Sequence, residues 1–164
     1  MNIKIKRAIP KDYGTLCFFR YLLREHESHM DKDTDMSPAR IKRSADYIKK
    51  YLKKKDNAYF IAYLNGMPIG YLHVTIDKKK GERIGYLSEL YVLSAYRSMG
   101  IGKKFMEVHD KFLQKNNIVK STLTTDSCRK NNRTIHFYTE LGYNKDKCIK
   151  KDLHLIKTYS LPSA

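Results

Sequence analysis

The chain has 164 residues, of which 41% are hydrophobic and 30% charged, with a formal net charge of +16. That length suits one domain spanning 1–164 with its own core, the apolar share excludes a disordered chain, and no run is apolar enough to cross a membrane. The charge raises a polyanionic partner such as nucleic acid. Yet the lysines are spread along the chain, the tightest runs (Lys53-Lys54-Lys55 and Lys78-Lys79-Lys80) fall at element ends, and no recognition motif accompanies them. The charge is therefore read as solubility and attraction for a phosphate-rich ligand, with nucleic acid not expected as the partner.

Asn2 to Ile9 alternates apolar and basic residues as a strand does, is stopped by Pro10, and has no continuous apolar stretch of a secretory leader. Cys17, Cys128 and Cys148 have no metal or redox spacing and read as free thiols, so a cytoplasmic location is expected. Asp12 is a candidate cap for a first helix with Leu16, Phe19 and Leu23 on one side. Ser37 as N-cap and Pro38 at the first helical position predict a second helix, carrying Ile41, Ala45, Ile48 and Leu52. Strands Ala58 to Leu64 and Met67 to Ile76 flank Asn65-Gly66, a pair suited to a tight hairpin because both residues tolerate positive φ. A lysine-rich loop to Glu82 leads into a strand through Tyr86 to Val92. A third helix from Gly100 follows, with Ile101, Phe105, Val108, Phe112 and Leu113 inward and His109 beside them as a packing residue. Ile118 to Thr125 reads as a strand, Lys130 to Leu141 as a helix closed by Gly142, and Tyr143 to Leu161 as one or two strands. The order is β-α-α-β-β-β-α-β-α-β-β.

The stretch Tyr86 to Gly102 joins a strand to a helix through glycines flanked by Arg97 and Lys103. The first turn of a helix has N–H groups without partners and partial positive charge, and glycines let an anion approach, so this is a phosphate site. A dinucleotide loop does not fit, because Phe105 stands where the third small residue belongs; a Walker A loop does not fit, because Arg97 and Lys104 replace its first glycine and its Ser or Thr.

Arg97-Ser98-Met99-Gly100-Ile101-Gly102 resembles the [Q/R]-x-x-G-x-[G/A] pyrophosphate loop of the GNAT superfamily, the acetyl-CoA-dependent N-acetyltransferases. Leu90-Tyr91-Val92 before it resembles that family's central strand. Asn131-Asn132-Arg133-Thr134-Ile135-His136-Phe137-Tyr138 through Gly142-Tyr143 resembles its N-x-x-A-x-x-F-Y-x-x-x-G-[F/Y] helix. Ser94, where the family often has Pro, and Thr134, where it usually has Ala, depart from the pattern without touching a phosphate ligand. The resemblance implies an α/β (α+β) fold: a mixed, mostly antiparallel sheet of six to seven strands flanked by about four helices. It implies acetyl-CoA as co-substrate, with Arg97 through Lys103 on the pyrophosphate and backbone near Tyr91, Val92 and Leu93 along the pantetheine and the developing oxyanion. It also implies direct attack by an amine in a ternary complex.

Tyr138 is the candidate general acid for the departing thiolate, the alternative being core packing beside Phe137; Asn131 is a candidate pantetheine ligand or a helix N-cap. Strand alternation puts Leu87, Glu89 and Tyr91 on one face. A carboxylate inside a strand is costly unless functional or paired, so Glu89 is a candidate base acting through water, or one half of an ion pair with an Arg or Lys. Tyr91 on the same face is a candidate for the acceptor pocket. Carboxylates gather between Glu25 and Asp35, with Glu25, Glu27 and Asp31 candidates for binding a cationic amine such as a polyamine or aminoglycoside; the bland alternative is a solvated loop capping the second helix. His26-Glu27-Ser28-His29 is one residue short of H-E-x-x-H, so no metal is expected. The long segment between the first two helices suggests a lid, which favours a small amine over a protein N-terminus or lysine. A non-catalytic acyl-CoA sensor is the alternative of another class, and exposed edge strands leave a homodimer open.

Overall fold

A computed structural model of the chain describes residues 2–126, 132–150 and 152–160. Its elements are β1 (Ile3–Arg7), α1 (Tyr13–Met30), α2 (Pro38–Tyr51), β2 (Asn57–Leu64), β3 (Met67–Lys79), β4 (Glu82–Val92), α3 (Ile101–Lys115), β5 (Lys120–Asp126), α4 (Asn132–Glu140), β6 (Asn144–Ile149) and β7 (Asp152–Thr158). The order is the one expected, with short 3-10 turns added at Pro10–Asp12 and Ser94–Tyr96. The seven strands form one sheet in the order β1-β2-β3-β4-β5-β7-β6. β1 pairs antiparallel with β2, as do β5 and β6 with β7, whereas β4 and β5 are parallel. No described helix is long and apolar enough to cross a membrane.

The chain gathers into two compact units, Met1–His73 with Glu89–Val108, and Val74–Ser88 with His109–Ala164. In the first, Leu16 and Phe19 of α1 and Ile48 of α2 bury against Tyr59, Ile61 and Tyr71. Phe19 stacks on Tyr71 with ring centroids 5.8 Å apart. In the second, β5 and β7 contribute Leu123, Leu153 and Leu155 to the buried set, and a polar network threads through it. Asp110 accepts from Lys157 at 2.7 Å and from the Tyr159 hydroxyl at 2.8 Å; its neighbour His109 reaches Ser121 at 3.3 Å, and Tyr143 donates to the same hydroxyl at 3.1 Å.

Local signals explain most boundaries. Asn65 and Gly66 both take positive φ, 50° and 82°, as a tight hairpin requires. The Ser37 hydroxyl accepts from Arg40 N, and Pro38 opens α2. Three expectations are corrected. The Asp12 carboxylate does not cap α1: Pro10 starts a 3-10 turn that points it back to the Ile9 N–H, 2.9 Å away. His109 lies within the buried stripe of α3 and Val108 at its margin, because a 3.6-residue period brings Phe105, His109, Phe112 and Leu113 to one face. The segment between the first two helices is short. α1 runs unbroken to Met30, leaving only 31–37 as a connection, so there is no long lid.

Candidate active site

β4 leads into the glycine-bearing loop before α3 through a close approach to β3. An ideal Cβ on Gly70 would sit 2.5 Å from the Tyr91 carbonyl oxygen and 3.1 Å from Val92 Cα, so only glycine lets the strands approach this closely. Beyond the crossing the backbone groups of Leu93 are already used: its N–H donates to Ile69 at 3.0 Å and its carbonyl accepts from Tyr96 at 2.9 Å. Leu93 therefore cannot supply the N–H expected of it for an oxyanion. The parallel register of β4 with β5 covers Gly85, Tyr86 and Leu87, and β4 continues past it through Ser88–Val92.

The loop itself holds two residues in the left-handed region, Ser98 at φ 66° and Gly100 at φ 75°. Among the described residues nothing lies within 4 Å of the Cβ position of Gly100. The first i→i−4 bond of α3 runs from Lys104 N to Gly100 O at 3.1 Å, and the N–H groups of Ile101, Gly102 and Lys103 precede it as the first turn. Ser98, Met99, Gly100 and Lys103 are exposed. Arg97 folds back on β4, its Nε donating to the Val92 carbonyl at 2.9 Å and its guanidinium lying 5.5 Å from the Tyr91 ring centroid. Its positive charge thus stays at the base of the loop. Tyr91 is sandwiched between this cation and Phe19, whose ring centroid is 6.4 Å away.

On the same strand Glu89 is held at both carboxylate oxygens. Arg20 of α1 forms an ion pair with Oε1, and the Tyr71 hydroxyl of β3 donates to Oε2 at 2.5 Å. The side chains of Arg20 and Glu89 are only 19% and 13% exposed, and Tyr71 is fully buried. Burial pushes the Tyr71 phenol well above its ordinary pKa, and the Glu89 charge adds to the effect, so it remains a donor. Burial opposes the charge of Arg20, but Glu89 and its neighbours more than offset this and raise it.

Deeper in this unit His73 bonds the Asn57 side chain at 2.9 Å and stacks on Tyr59, with 4.0 Å between ring centroids. Burial, with Arg20 adding to it, lowers the His73 pKa to about 3. Nothing in the sequence marked Arg20, Tyr71 or His73; the one available signal was Glu89, a mid-strand carboxylate that needed a cation.

The acidic candidates are divided. Glu25 is half-buried on α1 with its carbonyl accepting from Ser28 at 2.7 Å, and Glu27 is exposed one residue beyond His26. Asp31 ends α1, and its carboxylate accepts from Asp33 N at 3.0 Å, which makes it a turn residue. His26 is held below its ordinary pKa by burial and then by the charge of Arg97.

Tyr138 belongs to the second unit. It is buried on α4, edge-on to Phe137 and Tyr143, with ring centroids 5.1 Å and 5.8 Å away. Burial raises its pKa above the ordinary value for a phenol, and raises that of Tyr143 to about 12. Asn131, Cys128 and the expected start of α4 at Lys130 lie outside the described residues. Among the described residues no group of three His, Cys, Asp or Glu side chains gathers at metal-binding geometry.

The strand β4 from Glu89 onward, the left-handed loop and the open first turn of α3 stand together in the first unit, with Glu89 held by Arg20 and Tyr71. The acetyltransferase (GNAT) family model matches residues 20–143, and the chain belongs to this family. Over 116 residues, 68% of this chain, it is 23% identical to an uncharacterised N-acetyltransferase of Methanocaldococcus jannaschii. The match covers 50% of that protein, so the chain spans about half the length of the curated relative. The PaiA N-acetyltransferase of Thermoplasma acidophilum, solved in complex with coenzyme A, superposes with a TM-score of 0.73 at 21% identity over 97% of this chain and 100% of that one. A GNAT-family acetyltransferase of Streptococcus pneumoniae gives a TM-score of 0.74 at 22% identity with the same coverage.

Proposed function

We propose that the chain is an acetyl-CoA-dependent N-acetyltransferase that acetylates a primary amine by direct attack. The observation that carries this reading is the loop from Arg97 to Lys103, where two left-handed residues and the first turn of α3 form an open cradle next to two cations. Family membership and the coenzyme A bound by the Thermoplasma neighbour support it. An anion has room to approach at Gly100, since among the described residues nothing lies within 4 Å of its Cβ position, and glycine takes its left-handed backbone at no cost.

Acetyl-CoA supplies the thioester to be attacked. Arg97, Ser98, Met99, Gly100, Ile101, Gly102 and Lys103 hold its pyrophosphate, and the β4 continuation at Tyr91 and Val92 runs beside its pantetheine; Asn131 is a further ligand. Glu89 takes the proton of the incoming amine through water. Its two bonded oxygens keep lone pairs for this, and the bonds fix its direction. Tyr138 donates a proton to the departing thiolate, a role open to a phenol because it is protonated at neutral pH and needs no prior charge.

For the acceptor we infer a small cationic amine, drawn by Glu25, Glu27 and Asp31 and resting against Tyr91. One observation favours a second reading, a protein N-terminus or lysine: the connection between α1 and α2 spans only 31–37 and offers little to cover a small substrate. The reaction belongs where acetyl-CoA and a free amine meet, which we place in the cytoplasm; a homodimer through an edge strand is compatible with it. A thiol-release assay against polyamines, aminoglycosides, amino acids and short peptides tests both acceptors, with Glu89→Gln and Tyr138→Phe as controls. Coenzyme A binding without turnover on any amine would favour an acyl-CoA sensor; no binding would overturn the reading.

A further inference from the structure

Lys4 and Lys6 at alternate positions of β1, Arg7 at its end and Lys11 in the 3-10 turn after it line a groove of about 510 Å3, with Tyr63 of β2 in its wall. Lys4 pairs across the strands with Tyr63, and Lys6 places its Nζ 5.8 Å from that ring's centroid. Among the described residues Asp12 is the one carboxylate lining the groove, and its side chain accepts from the Ile9 N–H at 2.9 Å. Arg7 is steadied by the Asn57 carbonyl at 3.3 Å. Among the described residues no carboxylate forms an ion pair with Lys4, Lys6 or Lys11, unlike Lys42, Lys120 and Lys157 elsewhere.

We propose that this groove is a second anion site, separate from the loop at Arg97–Lys103, and that it binds the phosphate backbone of single-stranded nucleic acid. Lys4 and Lys6 face the same way about 6.8 Å apart, the repeat of a strand. That step is comparable to the spacing of successive phosphates on an extended single strand. A row of cations beside an aromatic ring is what a polyanion bearing planar bases uses. A peptide adding a strand to β1 would meet its backbone edge and leave the groove unfilled. Alternating lysines also deter edge-to-edge pairing, but that need is met without concavity, without Tyr63 and without Lys11.

The test is fluorescence anisotropy of a labelled oligouridine with saturating coenzyme A present, which keeps the loop at Arg97–Lys103 covered. The groove variant Lys4→Glu/Lys6→Glu/Lys11→Glu is compared with Lys53→Glu/Lys54→Glu/Lys55→Glu, which makes the same change in net charge. The groove variant is expected to bind about tenfold or more weakly, with the slope of log K against log salt reduced by about 2, since each lost phosphate contact on a single strand contributes about 0.7. The control is expected to stay within about threefold of the parent. Unchanged circular dichroism and melting temperature show that both variants fold. Equal weakening in both variants, no binding by the parent, or tighter groove-dependent binding of polyglutamate than of oligouridine would overturn the proposal.

Discussion

Arg20 on α1 and Glu89 on β4 form an ion pair in which both side chains are largely withdrawn from water, and Tyr71 completes the grip on the carboxylate. The arrangement ties a helix to the strand that leads into the loop at Arg97–Gly100. Removing Arg20 leaves a half-buried carboxylate with only a phenol as partner, so Arg20→Ala is expected to destabilise the fold by about 2 kcal/mol, below the cost of breaking a fully buried pair because some water remains. Tyr71→Phe retains the stack on Phe19 and loses one bond to a charged group, costing about 1–2 kcal/mol. Urea unfolding of Arg20→Ala, Glu89→Gln and the double variant measures the coupling. If the double variant loses the sum of the two single losses, the pair contributes nothing of its own.

Glycine has different jobs at Gly70 and Gly100, and the two substitutions should separate them. Gly70→Ala puts a methyl group into the Tyr91 carbonyl, and backbone cannot yield as a side chain does. A loss of about 1–3 kcal/mol is expected, together with weaker coenzyme A binding because β4 is displaced. Gly100→Ala meets no atom of the described residues and costs only its left-handed backbone, about 1 kcal/mol, so the effect is expected mainly on the proposed phosphate cradle. Calorimetric titration with coenzyme A and thermal melts read the two effects. Unaltered binding in both variants would remove the loop from the cofactor site.

The order of elements was legible because its signals are local: Asn65-Gly66 for the hairpin, Ser37-Pro38 for α2, glycines at the start of α3. The loop at Arg97–Gly102 was legible for the same reason. What was not legible depends on partners far apart in the chain. Glu89 could be seen to need a cation, but Arg20 and Tyr71 meet it only once α1 lies against β3 and β4. The acidic stretch misled because its polar composition resembles a loop. No glycine or proline interrupts it before Pro38, and α1 therefore continues through Glu25 and Glu27 to Met30. The lysines of the β1 groove are similarly unremarkable in sequence, being spaced by strand alternation and a turn.

His73 predicts a pH dependence of stability. Its folded pKa of about 3 lies below the unfolded value near 6.5 because burial disfavours the charged ring. Between these values the unfolded chain binds more protons, so stability is complete above about pH 6.5 and falls as the pH drops toward 3. One such group accounts for about 2 kcal/mol lost by pH 5. Buried His109, also held below its ordinary value, acts in the same direction. Melting temperatures from pH 7 to 4.5 should therefore decline, and less steeply in His73→Gln. An identical slope in that variant would show that His73 is not the titrating group.

Tyr138 is where packing and chemistry must be separated. Its ring is wedged edge-on between Phe137 and Tyr143, and Tyr138→Phe preserves that shape. The melting temperature should hardly move. If the hydroxyl protonates the leaving thiolate, kcat should fall about 100-fold while the affinity for acetyl-CoA is retained. The loss should shrink with an acetyl thioester whose thiol is more acidic, because a better leaving group needs less help. A variant with parental kcat, or an equal loss with both thioesters, would leave Tyr138 a packing residue and require the proton to come from elsewhere.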